Sequence, residues 1–231
     1  DPNDAPLAEA SGALFVAADG IHSAVRKRFY PDEGAPSWNG VIMWRGIAEA
    51  PRFHDGHTMI MAGHPNQKFV CYPISHNASS PDHQLINFIA ERRVDTSDFG
   101  GHGDWNRRAD TSDILTFFED WQFYWLDVPA LIRGADSLWV YPMIDRDPLP
   151  RWTHGRITLL GDAAHPMYPI GSNGASQAII DARTLTGCLL AMPSDPAAAL
   201  LRYEAERRPK TAKIVEANRG MGPELPMQLV E

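Results

Sequence analysis

Residues 155–182, GRITLLGDAAHPMYPIGSNGASQAIIDA, constrain the fold more than any other part of the sequence. The apolar run at 157–160 predicts a short buried strand, which ends at Gly161-Asp162. A loop with two prolines and two glycines follows, and small residues at helical spacing begin at Gly174. Open α/β sheets bind ligands where strands end and helices begin, so this segment predicts a ligand site.

The remaining sequence predicts a second strand–helix unit and a separate sheet. Residues 13–18, ALFVAA, read as a buried strand that ends at Asp19-Gly20, and a short helix follows. From Gly40 onward, short segments rich in β-branched and aromatic residues alternate with turn signals, which predicts an antiparallel sheet. Residues 111–121 have one apolar helical face, and residues 137–144 read as another strand.

Two helices are predicted at the C-terminal side. In the first, Ala175, Ala178, Ala182, Leu185 and Leu189 form the apolar face. The second begins with Asp195 as N-cap and Pro196 in its first turn, is kinked or restarted by Pro209, and ends at Gly220.

This order of elements predicts an α+β fold in which an antiparallel sheet is inserted into an α/β fragment. We expect residues 1–36 and 144–231 to form the α/β part, the latter with the C-terminal helices, and residues 37–143 to form the inserted sheet domain. With 231 residues and 44% hydrophobic side chains, the chain can bury two such cores.

Charge and composition exclude several classes of partner. A formal net charge of −8 lacks the cationic footprint that nucleic acid requires, but it permits an anionic small molecule bound at a local site. No apolar run approaches the roughly 20 residues of a membrane span, and residues 1–12 show no signal peptide. We therefore expect a cytoplasmic protein with a small-molecule ligand and two free thiols, Cys71 and Cys188; a homo-oligomer remains open.

The residues of the opening segment suit a particular ligand chemistry. Asp162 offers a carboxylate for hydroxyl groups, and Gly171 and Gly174 let backbone amides approach a flat molecule closely. The positive end of the following helix favours an acceptor edge that becomes negative. The ribitol chain and the pyrimidine edge of a flavin meet both needs. The alternative is a loop whose glycines only make turns and whose Asp162 caps a neighbour.

Two stretches resemble signatures of the single-component FAD-dependent aromatic hydroxylases, the family of salicylate and 4-hydroxybenzoate hydroxylases. LLGDAAHPMYPIGSNGASQAIIDA is similar to the second flavin signature, and VAADGIHSAVR is similar to the middle signature with its Asp-Gly motif. They occur in the family's order, and the resemblance covers nearly all of the chain. MWRGIAE and YPMIDRDPLPRW most resemble the phenazine-modifying member. The chain then resembles the later part of a hydroxylase-type FAD/NAD(P)-binding fold.

The resemblance implies roles for residues at matching positions. Asp162, after Gly161, would hydrogen-bond the flavin ribitol, and Pro169 would lie beside the ring at the substrate. Asp19, Gly20 and Arg26 would support the cofactor region and the approach of the nicotinamide. The positions implied to bind cofactor are Asp19, Gly20, Arg26, Gly161, Asp162, Pro169, Gly171, Gly174, Ala175 and Ser176, of which the last three would face the pyrimidine edge through their backbone.

The resemblance also implies a reaction. NAD(P)H reduces FAD, and the reduced flavin takes up O₂ as a C4a-hydroperoxide, whose terminal oxygen passes to an electron-rich aromatic acid that is phenazine- or salicylate-like. Because the flavin carries the chemistry, no catalytic nucleophile or base is expected. The candidates for substrate contact are Trp44, Arg45, Tyr72 and Pro169, with Arg45 pairing a carboxylate. For the sheet residues, ordinary packing is the alternative.

One departure from the family keeps other functions open. The family opens with a GxGxxG loop for the ADP half of FAD, and this sequence contains none. We therefore expect the 231-residue chain to be inactive by itself. A non-catalytic relative that binds a ligand or partner is one alternative. A metal-dependent hydrolase using GDAAH, with His165 as a ligand, is a second, although no further ligand motif accompanies that segment.

Overall fold

A computed structural model describes residues 11–52, 54–75, 79–95, 107–220, 222 and 224. The helices are α1 (Ala24–Phe29), α2 (Thr111–Phe118), α3 (Val128–Arg133), α4 (Gly174–Ala191) and α5 (Pro196–Arg219). The strands are β1 (Phe15–Ala17), β2 (Ser37–Pro51), β3 (Ile60–His64), β4 (Gln67–Ser75), β5 (His83–Arg93), β6 (Arg107–Arg108), β7 (Gln122–Phe123), β8 (Leu126–Asp127), β9 (Ala135–Asp145), β10 (Thr153–His154) and β11 (Ile157–Leu159). The segment on which the signal-peptide prediction depends, 1–10, lies outside the described residues.

The described residues form two compact units. One contains residues 11–37 and 144–224, and the other contains residues 38–143. The first unit has a three-stranded sheet in the order β1-β11-β10, and the second has a six-stranded sheet in the order β3-β4-β5-β2-β9-β6. The predicted fold class, an α/β fragment interrupted by an antiparallel sheet, is confirmed.

In the first unit, β1 and β11 run parallel, and Ala17 lies beside Leu159. Because parallel strands end at the same edge of a sheet, the turns that follow them start side by side. These turns carry Asp19-Gly20 and Gly161-Asp162. The core of the unit packs α4 and α5 against the sheet through Leu159, Leu185, Leu200 and Tyr203, among others.

The C-terminal helices differ from the sequence prediction in two respects. On α4, Leu185 is buried and Leu189 packs against the core as predicted, whereas Ala182 is exposed and the other buried residues are Asp181 and Cys188. α5 continues without interruption through Pro209, so the proline does not restart it. Burial of Tyr203 and Val215 on either side of Pro209 offsets the cost of a proline in a helix, about 3 kcal/mol. The N-cap at Asp195 and the end at Gly220 are confirmed.

In the second unit, one face of the sheet is covered by α2 and α3, and the residues on that face form the core. Strand residues of even number in β2 and β5, such as Trp44, Ile86 and Phe88, pack there against Ile114 and Phe118. Residues of odd number point to the other face, since successive side chains of a strand alternate. We call that second surface the open face.

Candidate functional site

The end of β11 and the start of α4 converge on one place in the first unit. The chain leaves β11 through a short 3₁₀ turn, Gly161–Ala163, and reaches α4 through a second turn, Ile170–Ser172. A Cβ atom added at Gly174, the first residue of α4, would lie 3.9 Å from Oδ1 of Asp162. The predicted carboxylate and the predicted helix N-terminus are therefore neighbours.

Asp162 presents an accessible carboxylate. Its side chain is exposed, and it accepts no hydrogen bond from the described residues. Desolvation by the surrounding protein nevertheless raises the pKa of Asp162 above its ordinary value, and the nearby His165 partly opposes this effect. The carboxylate is thus available to accept hydrogen bonds from the hydroxyl groups of a ligand.

The N-terminus of α4 is available as a donor. The amides of Gly174, Ala175 and Ser176 have no acceptor one turn earlier within the helix, and the side chain of Asn173 does not cap them. The first turn contains no acidic residue that would neutralise the helix dipole. A molecule with hydroxyl groups and an acceptor edge fits this pair of features, which is the chemistry of FAD at its ribitol and pyrimidine groups.

The loop between the two turns has an unusual backbone. Gly171 and Ser172 have positive φ values of 73° and 53°, and Pro169 precedes them as the N-cap of the second turn. For a serine this conformation costs of order 1–3 kcal/mol, and such strain is concentrated at functional sites. Tyr168, just before, is held through its carbonyl by the amide of Asn218 at 3.1 Å, which ties the loop to the end of α5.

The residues of the Asp-Gly motif have local structural partners. Oδ2 of Asp19 accepts the backbone N–H of Ala24 at 2.9 Å and so stabilises the start of α1. Burial alone would raise the pKa of Asp19, but bonds from Ser23 and nearby backbone amides hold it below its ordinary value. Gly20 has a φ of 78°, which completes the turn.

Arg26 lies beneath the site. Its side chain is 1% exposed, and its Nη1 donates to the carbonyls of Ala163 at 3.2 Å and Ala164 at 3.1 Å. Glu33 pairs with the same guanidinium. A side chain so enclosed supports the turn that carries Asp162, and the part of Arg26 in the approach of the nicotinamide stays a prediction.

The candidates in the second unit are divided between the two faces of its sheet. Trp44 is 4% exposed and stacks on Phe117 with ring centroids 6.0 Å apart, so it belongs to the core. Because strand alternation sends Trp44 away from Arg45, its ring packs in the core and does not line the open face. Arg45 and Tyr72 both lie on the open face, where Tyr72 pairs with Asn87 across β4 and β5.

A cavity of about 570 Å³ lies on the open face, between β2, β5 and β9, and Arg45, Asn87 and Trp139 contribute to its lining. Arg45 has no ion pair or hydrogen bond with the described residues, and Nδ2 of Asn87 is buried without a partner among them. The Arg108 guanidinium lies 5.5 Å from the Trp139 ring. Glu49 and Asp136 also line the cavity; the Glu49 carboxylate accepts the Ser79 amide at 2.9 Å.

His165 does not have the role expected of it. In the hydrolase alternative, His165 would be a metal ligand. The structure instead places Nε2 of His165 2.5 Å from Oδ2 of Asp181 on α4. Among the described residues, no group of three His, Cys, Asp or Glu side chains is arranged to hold a metal ion. Likewise, no helix in the described part of the chain is long and apolar enough to cross a membrane.

Sequence reasoning missed Asp181 and Arg207, which anchor the site from α4 and α5. One signal was available for Asp181. It interrupts the buried stripe that continues through Leu185 and Cys188, and a carboxylate on a buried face needs partners. No comparable signal marked Arg207 in a helix that is charged along its length.

Comparison with known proteins relates these features to a family. Residues 135–218, from β9 to α5, match the family described as FAD binding domain. The chain is 47% identical to the phenazine 1,6-dicarboxylic acid hydroxylase PhzS of Lysobacter antibioticus over 206 residues, which are 89% of this chain and 50% of that protein. It is 36% identical over 215 residues to the 3-amino-4-hydroxybenzoate 2-monooxygenase PtnB3 of Streptomyces platensis, with 91% of this chain and 50% of that protein covered.

Solved structures show the same fold. A salicylate hydroxylase in complex with substrate superposes with a TM-score of 0.69 and 26% identity, over 92% of this chain and 54% of that one. The 2,6-dihydroxypyridine-3-hydroxylase of Arthrobacter nicotinovorans gives 0.72 at 22% identity, over 94% and 59% respectively. The chain spans about half the length of the curated relatives it matches. Over that span, its sequence and fold are similar to those of FAD-dependent aromatic hydroxylases.

Proposed function

We propose that the protein is a flavin-dependent monooxygenase that uses NAD(P)H and O₂ to hydroxylate an aromatic acid. One observation carries the proposal: the free Asp162 carboxylate and the uncapped N-terminus of α4 meet within the segment that matches the FAD binding domain family. These two groups suit the ribitol and the pyrimidine edge of FAD, and neither has another partner among the described residues.

In this proposal, the residues of the chain bind and orient FAD. Asp162 accepts hydrogen bonds from the ribitol hydroxyls, and the amides of Gly174, Ala175 and Ser176 donate to the pyrimidine edge. With FAD bound, the positive end of α4 would favour negative charge at that edge. FAD, when bound, supplies the redox chemistry with NAD(P)H and O₂. Asp19, Gly20, Arg26, Gly161 and Gly171 shape the turns, with Pro169 on the substrate side.

The open-face cavity supports an aromatic acid as substrate. The unpaired Arg45 guanidinium offers a bidentate partner for a carboxylate, and the buried amide of Asn87 is a second free donor. Trp139 and the half-exposed Ile47 add apolar area. The relatives include a hydroxylase of phenazine 1,6-dicarboxylic acid, which supports a phenazine-like acid. The narrower form of this proposal is 5-methylphenazine-1-carboxylate 1-monooxygenase activity.

Two measurements, made one after the other, test the proposed function. Quenching of flavin fluorescence on titration with the protein measures FAD binding. Because the 231-residue chain is expected to be inactive by itself, turnover is measured as NAD(P)H oxidation by the FAD-loaded complete enzyme, with each of a panel of carboxylated and uncharged phenazines and benzoates. We expect oxidation to be accelerated by carboxylated aromatics and the product to gain one oxygen atom from ¹⁸O₂. If FAD binds but no aromatic acid accelerates oxidation or is hydroxylated, the non-catalytic binding alternative replaces this proposal.

A further inference from the structure

A buried carboxylate on α4 joins three elements of the first unit. Asp181 is 0% exposed, and its Oδ1 accepts Nε–H of Arg207 on α5 at 2.6 Å. Its Oδ2 accepts the backbone N–H of Gly161 at 3.2 Å and Nε2–H of His165 at 2.5 Å. The turn after β11, α4 and α5 are therefore held by one side chain.

The charge of Asp181 is compensated from both sides. Burial alone would raise the pKa of Asp181, but the interaction with His165 and the hydrogen bonds from Arg207 and the amide of Gly161 hold it below its ordinary value. Arg207 is itself buried, and its Nη2 donates to Oε1 of Gln177 at 2.6 Å, one turn before Asp181 on α4. Separating Asp181 from Arg207 would leave an uncompensated charge in the protein interior, which is costly. The pair therefore holds the two side chains in a fixed relative position.

The residues that Asp181 contacts lie on both sides of Asp162 in the sequence. Gly161 immediately precedes Asp162, and His165 lies three residues beyond it, so both flanks of Asp162 are bonded to the same carboxylate. Gly161 has a φ of 60°, and a Cβ there would lie 3.3 Å from Cβ of Ala178. The turn is thus pressed against α4, with little freedom to reorient.

We propose that Asp181 and Arg207 are positioning residues, which align the Asp162 carboxylate with the N-terminus of α4 without touching the bound cofactor. The proposal rests on the flavin site proposed above. The Asp162 carboxylate and the N-terminus of α4 can bind the same rigid molecule only if the distance between them is fixed. The hydrogen bonds of Asp181 determine that distance. Arg207 acts one step further away, by holding the Asp181 side chain in place.

The test uses an isosteric change and a matched control in the same helix. Asp181→Asn removes the charge but retains one acceptor oxygen, which cannot serve His165, Arg207 and Gly161 together. Leu185→Ala, one turn along α4, removes core packing without touching the network. Two readouts are needed: FAD affinity by fluorescence quenching, and the hydrogen-exchange rate of the Gly161 amide measured by NMR without flavin.

We expect Asp181→Asn to weaken FAD binding at least about tenfold, which corresponds to the loss of one well-placed charge-assisted bond, and to accelerate exchange of the Gly161 amide. Leu185→Ala should lower the melting temperature but change the FAD affinity less than about threefold, because this variant loses only core packing. If Asp181→Asn does not fold, Arg207→Lys retains the cation but not the fork to Gln177, and it should give the same changes at smaller size.

The two proposals fail in different ways. Unchanged Gly161 exchange in Asp181→Asn, or an equal loss of FAD affinity in Asp181→Asn and Leu185→Ala, overturns the positioning role. Absence of FAD binding by the parent protein overturns the flavin site, and Gly161 exchange then decides alone whether Asp181 holds the turn.

Discussion

At the scale of the residue, two aspartates of one segment have opposite environments. Asp162 is exposed and has no hydrogen-bond donor among the described residues, whereas Asp181 is buried and accepts from three. In the proposals made above, the first binds a ligand and the second holds the first in place. Their difference lies in their surroundings, because the chemical group is the same.

Replacing Asp162 by Ala should weaken FAD binding by about 10- to 100-fold and leave the fold intact. A charge-assisted hydrogen bond contributes about 1.5–3 kcal/mol, and the exposed side chain contributes no core packing. Fluorescence titration measures the affinity, and thermal unfolding monitors the fold. Asp32→Ala, which removes another exposed carboxylate of the same unit, is the control. Equal affinities for the two variants would give Asp162 a structural role only.

FAD affinity should also fall at acidic pH. Only the ionised carboxylate accepts hydrogen bonds with both oxygens, so the contribution of Asp162 is present above its pKa and is lost as pH falls through it. Because desolvation raises the pKa of Asp162, this loss should begin at a higher pH than for an ordinary aspartate. The effect on folding stability has the opposite sign. Because the pKa of Asp162 is raised in the folded protein, its contribution to stability is present at low pH and is lost as pH rises through that pKa. Titrations across pH should show the loss of affinity in the parent and not in Asp162→Ala.

Arg45→Met should raise the apparent KM for carboxylated aromatics about tenfold and leave that for uncharged analogues nearly unchanged. Methionine retains much of the apolar stem but cannot pair with a carboxylate. Steady-state NAD(P)H oxidation by the complete enzyme, with matched acid and amide substrates, measures the difference. Arg133→Met, an exposed arginine on α3 paired with Glu119, is the control. A similar change in the apparent KM for both substrate classes would show that Arg45 does not pair with the substrate carboxylate.

At the scale of the element, strand alternation in β2 separates a core face from an open one. Trp44 and Gly46 face the helices, and Arg45 and Ile47 face the cavity. Gly46 is required by its neighbours, since an added Cβ would lie 2.6 Å from Cζ of Phe88 and 2.8 Å from Cδ2 of Leu138. The shape of the sheet below the cavity depends on this close packing.

Gly46→Ala should therefore lower the free energy of unfolding by about 1–3 kcal/mol, because the buried Phe88 ring must move. Gly187→Ala is the matched control: it lies in the interior of α4, and a Cβ there would meet nothing within 4 Å. That change should stabilise the helix by about 0.5–1 kcal/mol. Urea denaturation of both variants measures the difference, and a neutral Gly46→Ala would contradict the packing described here.

At the scale of the whole molecule, the chain has two cores, one for each unit, and spans about half the length of its curated relatives. In the proposed function, the first unit supplies the contacts for the ribitol and the pyrimidine edge. The sequence contains no GxGxxG loop, the motif whose amides and helix dipole cradle a pyrophosphate. The groups present therefore favour the flavin end of the cofactor.

The 231-residue chain alone should bind FAD and FMN with dissociation constants within about tenfold of each other. Both ligands share the ribitol and the ring, and the ADP half of FAD adds no contact for which this sequence shows a motif. Isothermal titration with FAD, FMN and riboflavin measures the three affinities. FAD binding that is a hundredfold tighter than FMN binding would reveal a pyrophosphate site in this chain.

Much of the fold followed from local patterns in the sequence. Apolar runs and turn residues located the strands, helical periodicity located α2, α4 and α5, and the Asp195-Pro196 pair located the start of the last helix. The segment around Asp162 also predicted that a carboxylate and a helix N-terminus would converge. These features depend on neighbours along the chain, which a single sequence displays.

The tertiary structure alone decided which face of each element is covered and which polar groups are buried together. Periodicity shows that Trp44 and Arg45 point in opposite directions, but the positions of α2 and α3 determine which of them enters the core. The roles of Asp181 and Arg207 depend on α5 packing against α4, so that side chains 26 residues apart meet. Such contacts are set by the packing of whole elements, and no local pattern of residues specifies them.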